Sequence, residues 1–230
     1  MKKFIAALAL SLSSASPAFA ASAFNIDFEK LWDFGNGAVN SFYSGGTAAD
    51  GSSGPNLGVS FTNVSGLSND PPFIQYVNAP TPLGTAYVFA TDPADRAFMN
   101  VAGGVTTGIS FAYSSPTSVS SAVIAYAGLD GTGAQLGTFD LAANDFGGFP
   151  TQNPGGNYGT WTFVDFLFAG TALSFELTNS LDVVLFDEIG TLTDSGAASV
   201  IPVPAALPLL VGGLGLLGVV ARRRNNKHVA

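Results

Sequence analysis

LSFELTNSLDVVLFDEI, residues Leu173 to Ile189, contains two strand patterns in succession. In LSFELT, Leu173, Phe175 and Leu177 alternate with Ser174, Glu176 and Thr178, as in a strand with one face on a core and the other in water. VVLFDEI, Val183 to Ile189, is apolar on both faces until its acidic end, which predicts a covered, central strand. Working outward, FNIDFE repeats the alternation: Phe24, Ile26 and Phe28 face one way, Asn25, Asp27 and Glu29 the other. Further strands are expected in VSFT around Phe61, AYVFA around Val88, GISFAY around Phe111, VIAYA around Ile124, LGTFDL around Phe139 and TWTFVDFLF around Phe163. Turn signals fall at GGTAADGSSGPNLG from Gly45 and QNPGGNYG from Gln152, and no 3.6-residue period interrupts the strands. The prediction is an all-β chain: a single antiparallel β-sandwich or jelly roll over residues 24–194.

A chain of 230 residues has room for one such core plus accessory segments. Its basic residues lie mainly at the ends, Lys2 and Lys3 at the start and Arg222, Arg223, Arg224 and Lys227 at the finish. Only Lys30 and Arg96 stand between, against all 16 acidic residues, so the body carries a net charge of −14. A surface of that sign repels phosphate backbones, which argues against nucleic-acid partners. Cysteine is absent and the only histidine is His228, near the C-terminus. Thiol nucleophiles, Cys/His zinc sites, Ser-His-Asp triads and disulfides are thereby excluded from the body. Apolar burial, or a metal held by oxygen ligands, must hold the core.

Residues 1–20 read as a secretory signal peptide: two lysines, an apolar stretch from Phe4 to Leu12, and a small-residue site at Ala18, Phe19 and Ala20. A second such site at Ala21 to Ala23 leaves the cut after residue 20 or 23. At the other end, residues 195–202 form a flexible spacer and residues 203–221 a membrane-spanning segment. The uncharged run from Ala205 to Ala221 spans about 26 Å as a helix. Pro204 and Pro208 sit where that helix would start. The basic tail, 222–230, holds the C-terminus in the cytoplasm and leaves the rest outside. Gly213, Gly215 and Gly218 spell a dinucleotide-loop pattern, but no strand or polar turn precedes them, and small residues here suit close helix contact instead.

A signal peptide combined with a terminal proline motif, apolar helix and arginine cluster resembles the PEP-CTERM class of bacterial sorting signals. The likeness is strongest to the VPLPA-CTERM variant, written here Val200, Ile201, Pro202, Val203, Pro204, Ala205, with Arg222, Arg223 and Arg224 closing the signal. Val203 stands where the PEP form has glutamate. The resemblance implies passage through the secretion translocon and a precursor held in the inner membrane of a Gram-negative-type bacterium. It further implies recognition by an exosortase-type membrane transpeptidase, which removes the tail and delivers the ectodomain to the cell surface or exopolysaccharide matrix. The rival is an ordinary anchor that keeps Arg222 to Arg224. Within the body, FYSGGTAADGSSGPNLGVSF (42–61), AFMNVAGGVTTGISFAYSSP (97–116), GLDGTGAQLGT (128–138) and FDEIGTL (186–192) resemble recurring segments of PEP-CTERM ectodomains. That likeness implies location and no reaction, and fits a structural or adhesive protein of a biofilm matrix.

Three site chemistries follow from the residues available. Structural calcium could sit between Asp27 and Glu29 on the first strand and Asp187 on the last if these strands are neighbours; otherwise the carboxylates solvate a sheet face. Carbohydrate could stack on Trp32, Tyr43, Tyr76, Tyr158 or Trp161, residues equally suited to the core. A calcium-stabilised lectin is therefore the alternative to a purely structural role. A jelly-roll glycan hydrolase would need paired carboxylates, but Glu29, Glu176 and Glu188 form no catalytic motif, and Asp194-Ser195-Gly196 occurs once, in the spacer. No catalytic residues are expected.

Overall fold

A computed structural model describes residues 23–69, 75–88, 95–145 and 158–192. The signal peptide, spacer, apolar segment, basic tail and sorting motif all lie outside these residues. Among the described residues no helix is long and apolar enough to cross a membrane.

The strands are β1 (Asn25–Ile26), β2 (Val59–Thr62), β3 (Val64–Leu67), β4 (Thr85–Val88), β5 (Phe98–Val105), β6 (Gly108–Ser114), β7 (Val119–Tyr126), β8 (Gln135–Leu141), β9 (Thr162–Leu167), β10 (Ala172–Glu176) and β11 (Leu185–Thr191). They form two wholly antiparallel sheets. One runs β3-β4-β11-β6-β9 with β1 also on β11, and the other runs β2-β5-β10-β7-β8. The described part is thus the all-β antiparallel sandwich that the alternation predicts. β11 lies inside its sheet between β4 and β6, as its apolar sequence requires, and β1 pairs with it, so first and last strands are neighbours.

One apolar layer fills the space between the sheets. The inward residues include Ile26, Phe61, Met99, Phe111, Val123, Phe166, Phe175 and Phe186. A chain of rings runs through it: Phe186 on Phe111, Phe111 on Phe139, Phe139 on Phe166, Phe166 on Phe168 and Phe168 on Phe175, with centroids 5.4–6.0 Å apart. Edge-to-face and tilted contacts of this kind each add about 0.5–1.5 kcal/mol to plain burial.

Two departures from the sequence expectations have local causes. FNIDFE is strand only at Asn25–Ile26, because Phe28 adopts a left-handed backbone (φ 52°) that turns the chain. The Phe28 side chain still reaches the core, and its carbonyl accepts from Lys30 N and Trp32 Nε1. β3 and β5 were not expected, since Gly66 interrupts the first and Gly103-Gly104 the second. Gly66 is there for space: a Cβ would lie 2.0 Å from the Trp32 ring.

A smaller apolar cluster covers the outer face of the six-stranded sheet. Leu67 and Leu185 on that face pack beneath Tyr76, with Tyr158 and Trp161 alongside. It is under this cover that the candidate site lies.

Candidate functional site

β11 carries its acidic end into this covered face. Leu185 pairs with Tyr87 and Phe186 with Ala86; continuing the register sets Thr85 opposite Asp187. Asp187 is completely buried. After it the strand bulges, with Glu188 at φ 50° and a register shift before Gly190. The bulge makes room for β1, where Asn25 pairs with Gly190 and its side chain donates to Glu188 Oε2 at 2.6 Å.

Thr81 closes the site from the loop before β4, held between Pro80 and Pro82, which restrict its backbone. Its amide donates to Asp187 Oδ2 at 3.1 Å. Its hydroxyl oxygen lies 2.7 Å from the main-chain carbonyl of Asp27 and 2.9 and 3.0 Å from the Asp187 carboxylate oxygens. One hydroxyl proton therefore faces three acceptors. Burial pushes the Asp187 carboxyl up to about 7, Glu188 adds to the rise, and the Thr81 and Glu188 amides oppose it. When protonated, Asp187 donates to the Thr81 oxygen, which donates to the Asp27 carbonyl.

Two tyrosines stand near this group. Burial, then the charge of Asp27, raises Tyr43; burial, then Asp187 and Glu29, raises Tyr76. The Tyr76 hydroxyl and Thr85 Oγ1 are buried and have no hydrogen-bond partner among the described residues. A buried polar group left so costs about 1–3 kcal/mol.

The three carboxylates proposed for calcium do not converge as ligands; among the described residues no three acidic side chains are grouped to hold a metal. Each is engaged with a main-chain amide instead. Asp27 Oδ1 accepts from Glu29 N, Glu29 Oε1 from Leu83 N, and Asp187 from Thr81 and Glu188. What the fold does gather is the Asp187 carboxylate, the Thr81 hydroxyl and the Asp27 carbonyl. That set is all oxygen, the donor a hard cation takes, and supplies three of the six to eight ligands of a calcium ion. Thr81 was missed in the sequence, being 106 residues from Asp187 with no motif around it.

The aromatic residues offered for sugar stacking are not platforms. Trp32, Tyr43 and Tyr76 are buried and Tyr158 and Trp161 half-buried. Their polar atoms fasten loop to loop: Trp32 Nε1 to Phe28 O, Tyr158 OH to Val183 O, and Trp161 Nε1 to Val77 O. Exposed instead are Leu31 and Phe34, which with Trp32 and Ser68 are among the residues that line a cavity of about 810 Å³.

On the opposite sheet Glu176 accepts from Arg96 Nε at 3.0 Å and Nη2 at 2.6 Å, from Thr178 Oγ1 at 2.8 Å and from Tyr126 OH at 3.1 Å. Burial alone would raise its carboxyl, but these donors outweigh it and hold it below the usual range. The Arg96 guanidinium also lies over the Phe98 ring, 4.7 Å from its centroid.

No family model and no curated protein matches the chain. Among solved structures, the K2 cleaved adhesin domain of Lys-gingipain aligns over 75% of this chain and 100% of its own, at 14% identity and a TM-score of 0.44. That likeness is too distant to bear on function.

Proposed function

We propose that this chain is an exported, non-catalytic β-sandwich, sorted through its C-terminal PEP-CTERM-like signal to the surface or exopolysaccharide matrix of a Gram-negative-type bacterium, where it serves a structural or adhesive role. The observation that carries this reading is the pairing of β1 with β11. A leader before β1 and an anchoring tail after β11 would both leave from the same end of the sandwich. Such an arrangement suits a precursor handed from a translocon to a membrane transpeptidase.

Two of the buried acids stand too far apart to act as a pair. Glu176 and Asp187 lie on the outer faces of different sheets, and packed sheets stand about 10 Å apart, so the two carboxyls exceed the separation a glycosidase pair uses. Calcium is the candidate stabiliser, held by the Asp187 carboxylate, the Thr81 hydroxyl and the Asp27 carbonyl. Bound there, it would supply the positive charge that the buried carboxylate lacks.

Mass spectrometry of the mature C-terminus, with and without the host's sorting enzyme, tests the reading. A terminus between Pro202 and Ala205 that depends on the enzyme is the expected result. A surface protein that retains Arg222 to Arg224 in both strains would mean an ordinary anchor.

A further inference from the structure

The end of the sandwich from which the chain leaves exposes four large apolar side chains, and the geometry points to a zwitterionic lipid surface as their partner. This inference rests on residues 203–221 spanning a membrane and adds that the folded domain itself touches the bilayer.

The exit is fixed by main-chain bonds. Phe24 N donates to Thr191 Oγ1, Thr191 N to Phe24 O, and Leu192 N to Gly108 O. Leu167 pairs with Gly108 and so sits beside Leu192. Leu83 lies past the same end of β4, its amide on Glu29 and its carbonyl on Ser68. Past the neighbouring end of β3, Ser68 also receives the Trp32 amide, which places Leu31 and Phe34 there.

Six large apolar side chains are exposed among the described residues, and four of them, Leu31, Phe34, Leu83 and Leu167, are at this end. Leu31, Phe34 and Leu167 are 70%, 68% and 65% exposed. Of the remaining two, Leu129 lies on a turn over the five-stranded sheet, and Phe163 shares the outer face of β9 with Leu167 but sits four residues farther from the exit, opposite Ala112.

The length of chain that follows selects the occupant. Ten residues, 193–202, separate Leu192 from the apolar segment, a reach of at most about 35 Å. A domain carried on a membrane-spanning tail would thus turn towards the bilayer the end that carries the four apolar residues. Charge selects the kind of lipid. Lys30 is already engaged by Asp50, while Glu29, Asp33 and Glu188 lie near this end. Among the described residues at this end no free cation would attract anionic headgroups, so contact is apolar and insensitive to salt.

Because the chain has no cysteine, single labels are unambiguous. The test uses the full chain reconstituted through its own tail into phosphatidylcholine bilayers, with spin labels on Leu31→Cys, Phe34→Cys, Leu167→Cys, Thr117→Cys and Gly212→Cys. Thr117 marks the far end of the sandwich, beyond Ser114 and opposite the start of β11. Labels at 31, 34 and 167 are expected to be severalfold less accessible to a water-soluble nickel chelate than the label at 117, and severalfold more accessible to oxygen. Equal accessibility at 31, 34, 167 and 117, with 212 protected, would overturn the bilayer contact and leave the membrane span intact. A water-exposed label at 212 would overturn both. Spin–spin coupling between labels at 34 without lipid contact would assign the surface to a second copy of this chain.

Discussion

Replacing Asp187 by asparagine separates the cost of a buried charge from the value of the hydrogen bonds around it. In the folded protein the carboxyl titrates near 7, whereas an unfolded aspartate titrates near 3.9. Folding thus favours the protonated form. The stability contributed is complete below about pH 4 and is lost as pH rises towards 7, because over that window the native state binds the extra proton. At about 1.4 kcal/mol per pH unit, the loss amounts to about 4 kcal/mol. For a domain of this size that corresponds to about 8–16 °C in Tm. The amide that replaces the carboxyl keeps an oxygen for the Thr81 amide and an N–H for the Thr81 hydroxyl; it leaves the Glu188 amide without its acceptor, a cost independent of pH, and it cannot ionise. Urea unfolding in chelator, from pH 4 to 8.5, should therefore show Asp187→Asn gaining on wild type by about 4 kcal/mol as pH rises. At pH 8 calcium should recover much of the wild-type loss and leave the variant unchanged, because only the carboxylate gives the ion a charged ligand. Parallel pH profiles for the two proteins would refute the assignment of a buried, uncompensated carboxyl. Equal stabilisation of both by calcium would move the ion elsewhere.

The other consequences are simpler to state. Phe175→Ala removes a fully buried ring from the aromatic chain and should cost about 3–5 kcal/mol in urea unfolding, with the m-value unchanged. Gly66→Ala forces β3 away from the Trp32 ring and should cost about 1–3 kcal/mol, accompanied by a shift in tryptophan emission. Arg96→Ala should cost about 1 kcal/mol, the modest figure reflecting a guanidinium that is 47% exposed. Glu176 titrates low when paired, so its contribution is present above about pH 4.3 and lost as pH falls; in Arg96→Ala that acid-side loss should shrink, as NMR titration of the Glu176 carboxyl would register.

What the sequence makes legible, and what it leaves dark, divides along physical lines. Alternation reports which face of a strand meets the core, and for Phe24, Ile26 and Phe28 it did so even though Phe28 leaves the strand. Uniform apolarity reports cover on both faces, and it placed β11 inside its sheet before any pairing was known. Both signals are local, because they arise from the two-residue repeat of a strand. The candidate site is not local. Its hydroxyl and carboxylate are 106 residues apart, and the Glu176 network joins residues 80 apart. Trp32 and Tyr76 were legible as aromatic but not as buried, since residue type carries no record of which loop will cover it. Leu31 and Phe34 show the converse: apolar residues in a strand-rich chain fit a core, yet on the folded domain these two are exposed. A period of two specifies sides and is silent about ends, and it is towards the end where the first and last strands meet that this fold sets Thr81 on Asp187 and leaves exposed four of the six large apolar side chains that are so among the described residues.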